Sequence, residues 1–282
     1  MTDRPFRSAL YIPGSKERAL EKARNLPVDA ILFDLEDAVS PDEKVAARDT
    51  LKEALYQGGY GNRYCVVRIN GLDTEWGKDD AAEVVEMDCD AVLLPKVNSP
   101  ADLDALAAIT GDLPIWAMIE TPLGIINAAA IAAHPKLEGF VMGTNDLAKD
   151  LNTRKGQNRE PLLYALEAAL LAARAYGKVI VDGVYNAFKD EEGLKAECEQ
   201  GRDMGFDGKT LIHPAQVEIA NAAFAPSEAE VDLANRQIAA FEEAAANGQG
   251  VAVVDGKIVE NLHIVTARAT LAKVAAIAAL DH

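Results

Sequence analysis

One local pattern recurs eight times along this chain and limits what it can fold into. A short apolar run ends on a turn or charged residue, and a stretch of helical length follows. The runs are Ser8–Ile12, Ala30–Leu35, Cys65–Ile69, Ala91–Leu94, Pro114–Ile119, Phe140–Asn145, Val179–Val184 and Lys209–Ile212. Their length and their bounding Pro, Gly and Asn residues mark buried strands. Helical patterns run from Lys16 to Leu26, from Pro41 to Tyr56, over Trp76–Met87, from Pro100, and over Leu123–Ala133, Pro161–Tyr176 and Glu191–Met204. Eight strand–helix units in about 220 residues match the count and size of a (β/α)8 TIM barrel. A doubly wound open sheet is the main rival. It usually carries a Gly-rich phosphate loop, and neither G-x-G-x-x-G nor G-x-x-x-x-G-K-[ST] occurs here.

The barrel is expected over residues 1–225, followed by an extension over 226–282. Ser227 caps a helix over Glu228–Ala246, which Gly248-Gln249-Gly250 breaks. Val251–Val254 and Ile258–Val259 flank Asp255-Gly256, a hairpin-turn signal. A last Ala-rich helix is expected over Val265–Leu280. This helix–hairpin–helix tail is read as a mobile lid or, alternatively, as a cap on the barrel bottom.

The chain has 282 residues, and its formal charge of −17 argues against nucleic-acid or anionic-membrane binding. No apolar stretch is long enough for a bilayer, and the start lacks signal-peptide order. Cys65, Cys89 and Cys198 show no metal-like spacing. Reduced thiols and a cytoplasmic location are therefore expected. Residues 1–24 are locally basic, with Arg4, Arg7, Lys16, Arg18, Lys22 and Arg24 against Asp3, Glu17 and Glu21. A phosphate-bearing ligand would be drawn to that segment, although Glu/Lys pairing on a solvated helix face is the preferred reading of the segment taken alone.

Barrel active sites collect at the carboxyl ends of the strands. Those ends offer Glu36, Asp37, Arg68, Lys96, Glu120, Asp146, Asp182 and His213. Glu120 and Asp146 follow consecutive strands, and adjacent strands lie about 4.8 Å apart. Two such carboxylates can share a hard cation and leave its other positions open to substrate. Mg2+ suits this donor set, Mn2+ would serve similarly, and the lack of a His or Cys cluster disfavours Zn2+. Arg68 is placed to grip a substrate carboxylate, or to pair with Glu36 or Asp37, or both. Lys96 as a Schiff-base nucleophile is a weaker alternative. Asp182 is read as structural and His213 as a packed residue before a proline.

Seven segments in order resemble the citrate lyase β-subunit-like enzymes, a group that includes malyl-CoA and citramalyl-CoA lyases and malyl-CoA thioesterases. They are Arg7–Gly14, Phe33–Val39, Val67–Asn70, Leu94–Lys96, Ile119–Pro122, Gly143–Leu147 and Ile212–Val217. The resemblance implies a Mg2+-dependent barrel assembled as a homotrimer or a dimer of trimers. It implies metal ligands at Glu120 and Asp146, an oxoacid contact at Arg68, and support from Glu36 and Asp37. It also implies that the basic start, with Arg7, Lys16 and Lys22, meets the phosphates of coenzyme A. In related CoA-ester lyases the tail covers a neighbouring subunit's site and carries an Asp in Gly-x-Met-Ile-Asp-Met-Pro. The matching run here is Gly256–Leu262, with Glu260 at the Asp position and no Pro.

The expected reaction is retro-Claisen-type cleavage of malyl-CoA or citramalyl-CoA. It gives glyoxylate or pyruvate plus acetyl-CoA or propionyl-CoA, with Glu260 as the proton donor. The longer Glu260 side chain opens thioester hydrolysis as the second reading. A CoA-independent pyruvate aldolase, a citrate lyase subunit and a non-catalytic ligand-binding barrel are the remaining rivals.

Overall fold

The computed structural model describes residues 4–154 and 158–280. The ends of both expected spans, 1–225 and 226–282, therefore lie outside the described residues. Eight parallel strands close into one barrel in chain order. They are β1 (Ser8–Pro13), β2 (Ala30–Asp34), β3 (Tyr64–Arg68), β4 (Ala91–Leu94), β5 (Ile115–Ile119), β6 (Leu137–Met142), β7 (Val179–Asp182) and β8 (Gly208–Leu211). Closure comes from β8 pairing with β1, Ser8 opposite Lys209 and Leu10 opposite Leu211.

The strands read as continuous apolar runs because both of their faces are covered. Side chains alternate between a barrel interior and an outer layer under the helices. Ala30, Leu32, Val66, Leu93, Trp116, Met118, Val141 and Val181 fill the interior. Ile31, Phe33, Val67, Ala117, Phe140 and Ile180 pack outward against helices. At the amino end, Phe6 packs edge-on against Tyr64 at 5.4 Å and Trp116 at 5.2 Å. Glu138 accepts hydrogen bonds from Trp116 Nε1 and the Tyr64 hydroxyl. Phe6, Tyr64, Trp116 and Glu138 thus fill the amino end of the barrel.

The surrounding helices are α1 (Glu17–Ala23), α2 (Lys44–Gln57), α3 (Gly77–Val84), α4 (Pro100–Thr110), α5 (Pro122–Ile126), α6 (Ala128–Ala132), α7 (Thr144–Asp150), α8 (Leu163–Ala175), α9 (Glu191–Met204) and α10 (Val217–Phe224). Two departures from the sequence reading have local causes. The stretch Leu123–Ala133 is two short helices, because Asn127 leaves helical geometry (φ −94°, ψ 4°) and donates from Nδ2 to the Asn98 carbonyl at 2.7 Å. The run Phe140–Asn145 is strand only as far as Met142. Gly143 breaks it, and Thr144 opens α7.

The chain divides into two compact units, Phe6–Phe224 and a second that takes over at Ala225. The second contains α11 (Glu228–Ala246), the hairpin β9 (Ala252–Val254) and β10 (Lys257–Val259), and α12 (Asn261–Ala278). Ser227 and Glu230 cap α11 reciprocally. Asp255 and Gly256 both take positive φ, 51° and 73°, as a two-residue hairpin turn requires. Arg236 of α11 grips the Asp255 carboxylate at 2.8 and 2.9 Å. Ala244, Ala252, Val259 and Ile264 form a small core of its own.

Candidate active site

Alternation decides which strand-end residues enter the mouth. Tyr11 shares parity with Ala9, Asp34 with Leu32, Arg68 with Val66, and Glu120 with Met118, so all four face inward. Asp34 and Arg68 are paired across β2 and β3 and form the site's rigid corner. Arg68 donates from Nε to Asp34 Oδ1 at 2.8 Å and from Nη2 to Oδ2 at 2.5 Å. The same carboxylate accepts the backbone N–H of Glu36 at 2.8 Å and of Ala38 at 3.0 Å. It therefore fixes both the guanidinium and the loop that carries Glu36 and Asp37. Arg68 Nη1 reaches Glu36 at 2.8 Å and the exposed Asp37 at 3.5 Å. Beneath it, the Arg68 guanidinium lies over the Tyr11 ring, 4.7 Å from the centroid.

Across the mouth, Glu120 follows β5 and is only 3% exposed. Its Oε1 accepts the Lys96 backbone N–H at 2.9 Å. Lys96 holds that N–H in place from a left-handed conformation, φ 52°, which is strained for a residue with a side chain. Gly143 makes room on the other side. A Cβ there would fall 2.3 Å from Glu120 Cβ and 2.4 Å from Oε2. Asp146 enters from the first turn of α7, not from a strand end.

Asp34, Asp37, Arg68, Glu120, Gly143 and Asp146 line one cavity of about 320 Å³ with Tyr11, Met118, Met142, Thr144, Asn145, Val184, Asn186 and Ile212, and Glu36 and Lys96 stand beside it. Five carboxylates, Asp34, Glu36, Asp37, Glu120 and Asp146, face two cations, Arg68 and Lys96. Burial, then Glu36 and Asp146 nearby, push the Glu120 pKa up to about 8 despite the Lys96 N–H. Burial likewise lifts Glu36 to about 7, with Asp37 and Asp34 adding to it and Arg68 opposing. The mouth thus holds more acid than its own cations balance. A divalent cation fits that imbalance: it would take carboxylate oxygens from Glu120 and Asp146 and relieve their repulsion. Among the described residues no cluster of three His, Cys, Asp or Glu forms a complete cage. The remaining ligands would then be water and substrate. Lys96 stays an ammonium: burial works against its charge, but Glu36, Asp146, Glu120 and Asp37 raise its pKa. That disfavours the Schiff-base role.

Several predicted residues lie elsewhere. Arg7 sits at the amino end of β1, opposite the mouth, buried and clamped to Asp29 at 2.7 and 2.9 Å. It is a strut of the barrel floor and is not placed to meet phosphate at the mouth. Lys16 lies in the loop above β1, exposed, 3.2 Å from Glu43, and Lys22 is exposed on α1. Asp182 shares parity with Ile180 and points outward. There it meets Arg159 at 2.8 Å and Lys209 at 3.1 Å, while Lys209 also meets Glu197 at 2.6 Å. His213 is exposed yet held: it caps the turn at Pro214, accepting the Ala215 N–H at Nδ1, and stacks on Phe188 at 4.6 Å. Glu260 is exposed and caps α12. Sequence reasoning missed Asp34 and Tyr11, although both lie two residues along a strand from an inward apolar neighbour.

Comparison with known proteins follows the same lines. A family model described as HpcH/HpaI aldolase/citrate lyase matches residues 7–214. A (3S)-malyl-CoA thioesterase of Cereibacter sphaeroides (strain KD131 / KCTC 12085) is 69% identical over 275 residues, covering 98% of this chain and 96% of that protein. Citrate lyase subunit beta of Escherichia coli (strain K12) is 36% identical over 282 residues, covering 96% and 93%. The crystal structure of protein CitE from Mycobacterium tuberculosis in complex with magnesium, acetoacetate and coenzyme A superposes with a TM-score of 0.83 at 27% identity. That match covers 97% of this chain and 100% of that one.

Proposed function

Because the chain belongs to the HpcH/HpaI aldolase/citrate lyase family, we propose that it is a Mg2+-dependent thioesterase that hydrolyses malyl-CoA to malate and coenzyme A. The carrying observation is 69% identity to a (3S)-malyl-CoA thioesterase over nearly the whole of both chains. It reverses the order given by sequence alone, which put carbon–carbon cleavage first.

Glu120 and Asp146 would hold the Mg2+, and Mn2+ would serve in its place. When bound, the ion supplies Lewis-acid polarisation of substrate oxygen and neutralises the acid mouth. Arg68, braced by Asp34, binds the carboxylate of the hydroxyacid end, and Asp34 keeps the guanidinium from turning. Glu36 and Asp37 orient its outer face. Glu260 takes a proton from water, and the water oxygen attacks the thioester carbonyl carbon. The C–S bond then breaks, and the departing sulfur receives the proton.

Glu260 would reach the mouth from a second copy of the chain, in a homotrimer or a dimer of trimers. The extension supports this reading: Val253, Ile258, Leu262 and Val265 are each at least 60% exposed and offer an apolar face for covering. Lys16 and Lys22 remain candidates for coenzyme A phosphates. A cytoplasmic location is proposed on thiols read as reduced, with Cys65 and Cys198 buried, and no helix among the described residues is long and apolar enough to cross a membrane.

Carbon–carbon cleavage is kept as a second reading, since citrate lyase β subunits at 36–39% identity align over most of the chain. Incubation with malyl-CoA and Mg2+ separates the two. Malate with free thiol supports the proposal, and acetyl-CoA with glyoxylate establishes the lyase. No turnover with either product set, with or without a chelator, defeats both.

A further inference from the structure

Tyr11 forms the floor of the cavity, and its hydroxyl is out of place there by ordinary packing rules. The ring lines the cavity with Arg68, Met118 and Glu120, and carries the Arg68 guanidinium on its face. The hydroxyl oxygen is buried and has no hydrogen-bond partner among the described residues. A buried hydroxyl left unsatisfied destabilises a fold. A phenylalanine would support Arg68 equally well without that cost.

Carboxylates are close, but none lies within hydrogen-bond distance of the hydroxyl. Asp34, Glu120 and Glu36 are all near enough to act on the phenol electrostatically. Asp34 is occupied by Arg68 and two backbone amides. Glu36 is engaged by Arg68, and Glu120 Oε1 by the Lys96 N–H. Burial pushes the phenol pKa up, so the group stays a donor. A protonated donor that none of these carboxylates reaches, on a ring covered by a guanidinium, lacks one component: an anionic acceptor brought in from outside.

We propose that Tyr11 is a substrate-binding residue whose hydroxyl donates to the carboxylate gripped by Arg68. This rests on the reading of the cavity as the site of a small hydroxyacid acyl group. Arg68 Nη1 is spent on Glu36 and Asp37. An incoming carboxylate competes for Nη1. The shift that frees Nη1, while Asp34 anchors Nε and Nη2, opens the hydroxyl beneath. Charge-assisted bonds of this kind are among the stronger ones in proteins.

The test is Tyr11→Phe, which removes one oxygen and keeps the ring under Arg68. Titration of L-malate in the presence of Mg2+ should show affinity about ten- to a hundredfold weaker than wild type. The KM for malyl-CoA should rise by a similar factor with a smaller change in kcat, and the melting temperature should be unchanged or higher. A purely structural role for the hydroxyl would instead lower the melting temperature and leave malate affinity alone. Unchanged malate affinity and KM overturn the inference. If wild type fails to hydrolyse malyl-CoA, the thioesterase reading falls, and the malate titration still judges Tyr11. If wild type binds no malate at all, Tyr11 falls with it.

Discussion

Asp34→Asn probes how the site is built more sharply than any change at the metal ligands. The carboxylate is 1% exposed and accepts four hydrogen bonds, two from Arg68 and two from backbone amides. An asparagine offers one oxygen, and its amide group must then face a donor. The variant loses about half of those bonds, and Arg68 loses its nearest counter-charge. Breaking a buried pair typically costs roughly 3–5 kcal/mol. Glu36, still 2.8 Å from Nη1, leaves Arg68 partly compensated. The low end, about 3 kcal/mol, is therefore expected. For a domain of this size that lowers the melting temperature by roughly 6–12 °C. Activity should fall further than stability accounts for, by about a hundredfold in kcat/KM, because the guanidinium is no longer aimed. Thermal unfolding by circular dichroism and malyl-CoA hydrolysis at 25 °C measure the two effects. Asp37→Asn is the control: its side chain is 69% exposed at 3.5 Å, so its pairing is worth below about 1 kcal/mol. If Asp34→Asn melts and turns over like wild type, Asp34 does not hold Arg68 and the corner of the site is wrongly drawn.

Other consequences follow from the same geometry. Burial raises the Glu120 pKa to about 8, so Mg2+ binding below that pH should displace a proton. Mg2+ affinity, followed by calorimetry, should rise with pH up to about 8 and then level off, with proton release at lower pH. Because that folded pKa lies above the ordinary 4.5, the metal-free chain should also lose stability as pH rises from 4.5 toward 8, a loss that Mg2+ reverses. Gly143→Ala should weaken Mg2+ binding at least tenfold, since its methyl collides with the Glu120 carboxylate; wild-type affinity would show that Glu120 can move freely. Glu260→Ala should leave coenzyme A affinity intact and cut turnover by about a hundredfold or more; a wild-type rate would remove the extension from the chemistry.

Much of the barrel could be read from the strand–helix rhythm, because both faces of each strand are apolar and each run stops at a turn residue. The site was legible only in part, for a geometric reason. Strand ends were read as a rim of charges without asking which face each occupies. Counting by twos from the interior residues Leu32 and Val66 brings Asp34 and Arg68 together. The same count from Ile180 sends Asp182 outward to Lys209. Arg7 lay in a basic segment, but it stands at the start of a strand, so it belongs to the floor. Other features had no local signal. The left-handed Lys96, the Glu120 carboxylate against Gly143, and the Arg159–Asp182 pair depend on contacts between residues more than twenty positions apart. Asp146 was anticipated beside Glu120, but α7 delivers it rather than the strand, because Gly143 ends β6 early.

Manganese titration followed by electron paramagnetic resonance tests the joint role of Glu120 and Asp146 most directly. Wild type should take up one Mn2+ per chain, displaceable by Mg2+. Glu120→Gln and Asp146→Asn should each abolish that uptake while circular dichroism shows the barrel intact. Stoichiometric binding that survives in both variants would put the ion elsewhere and contradict the account.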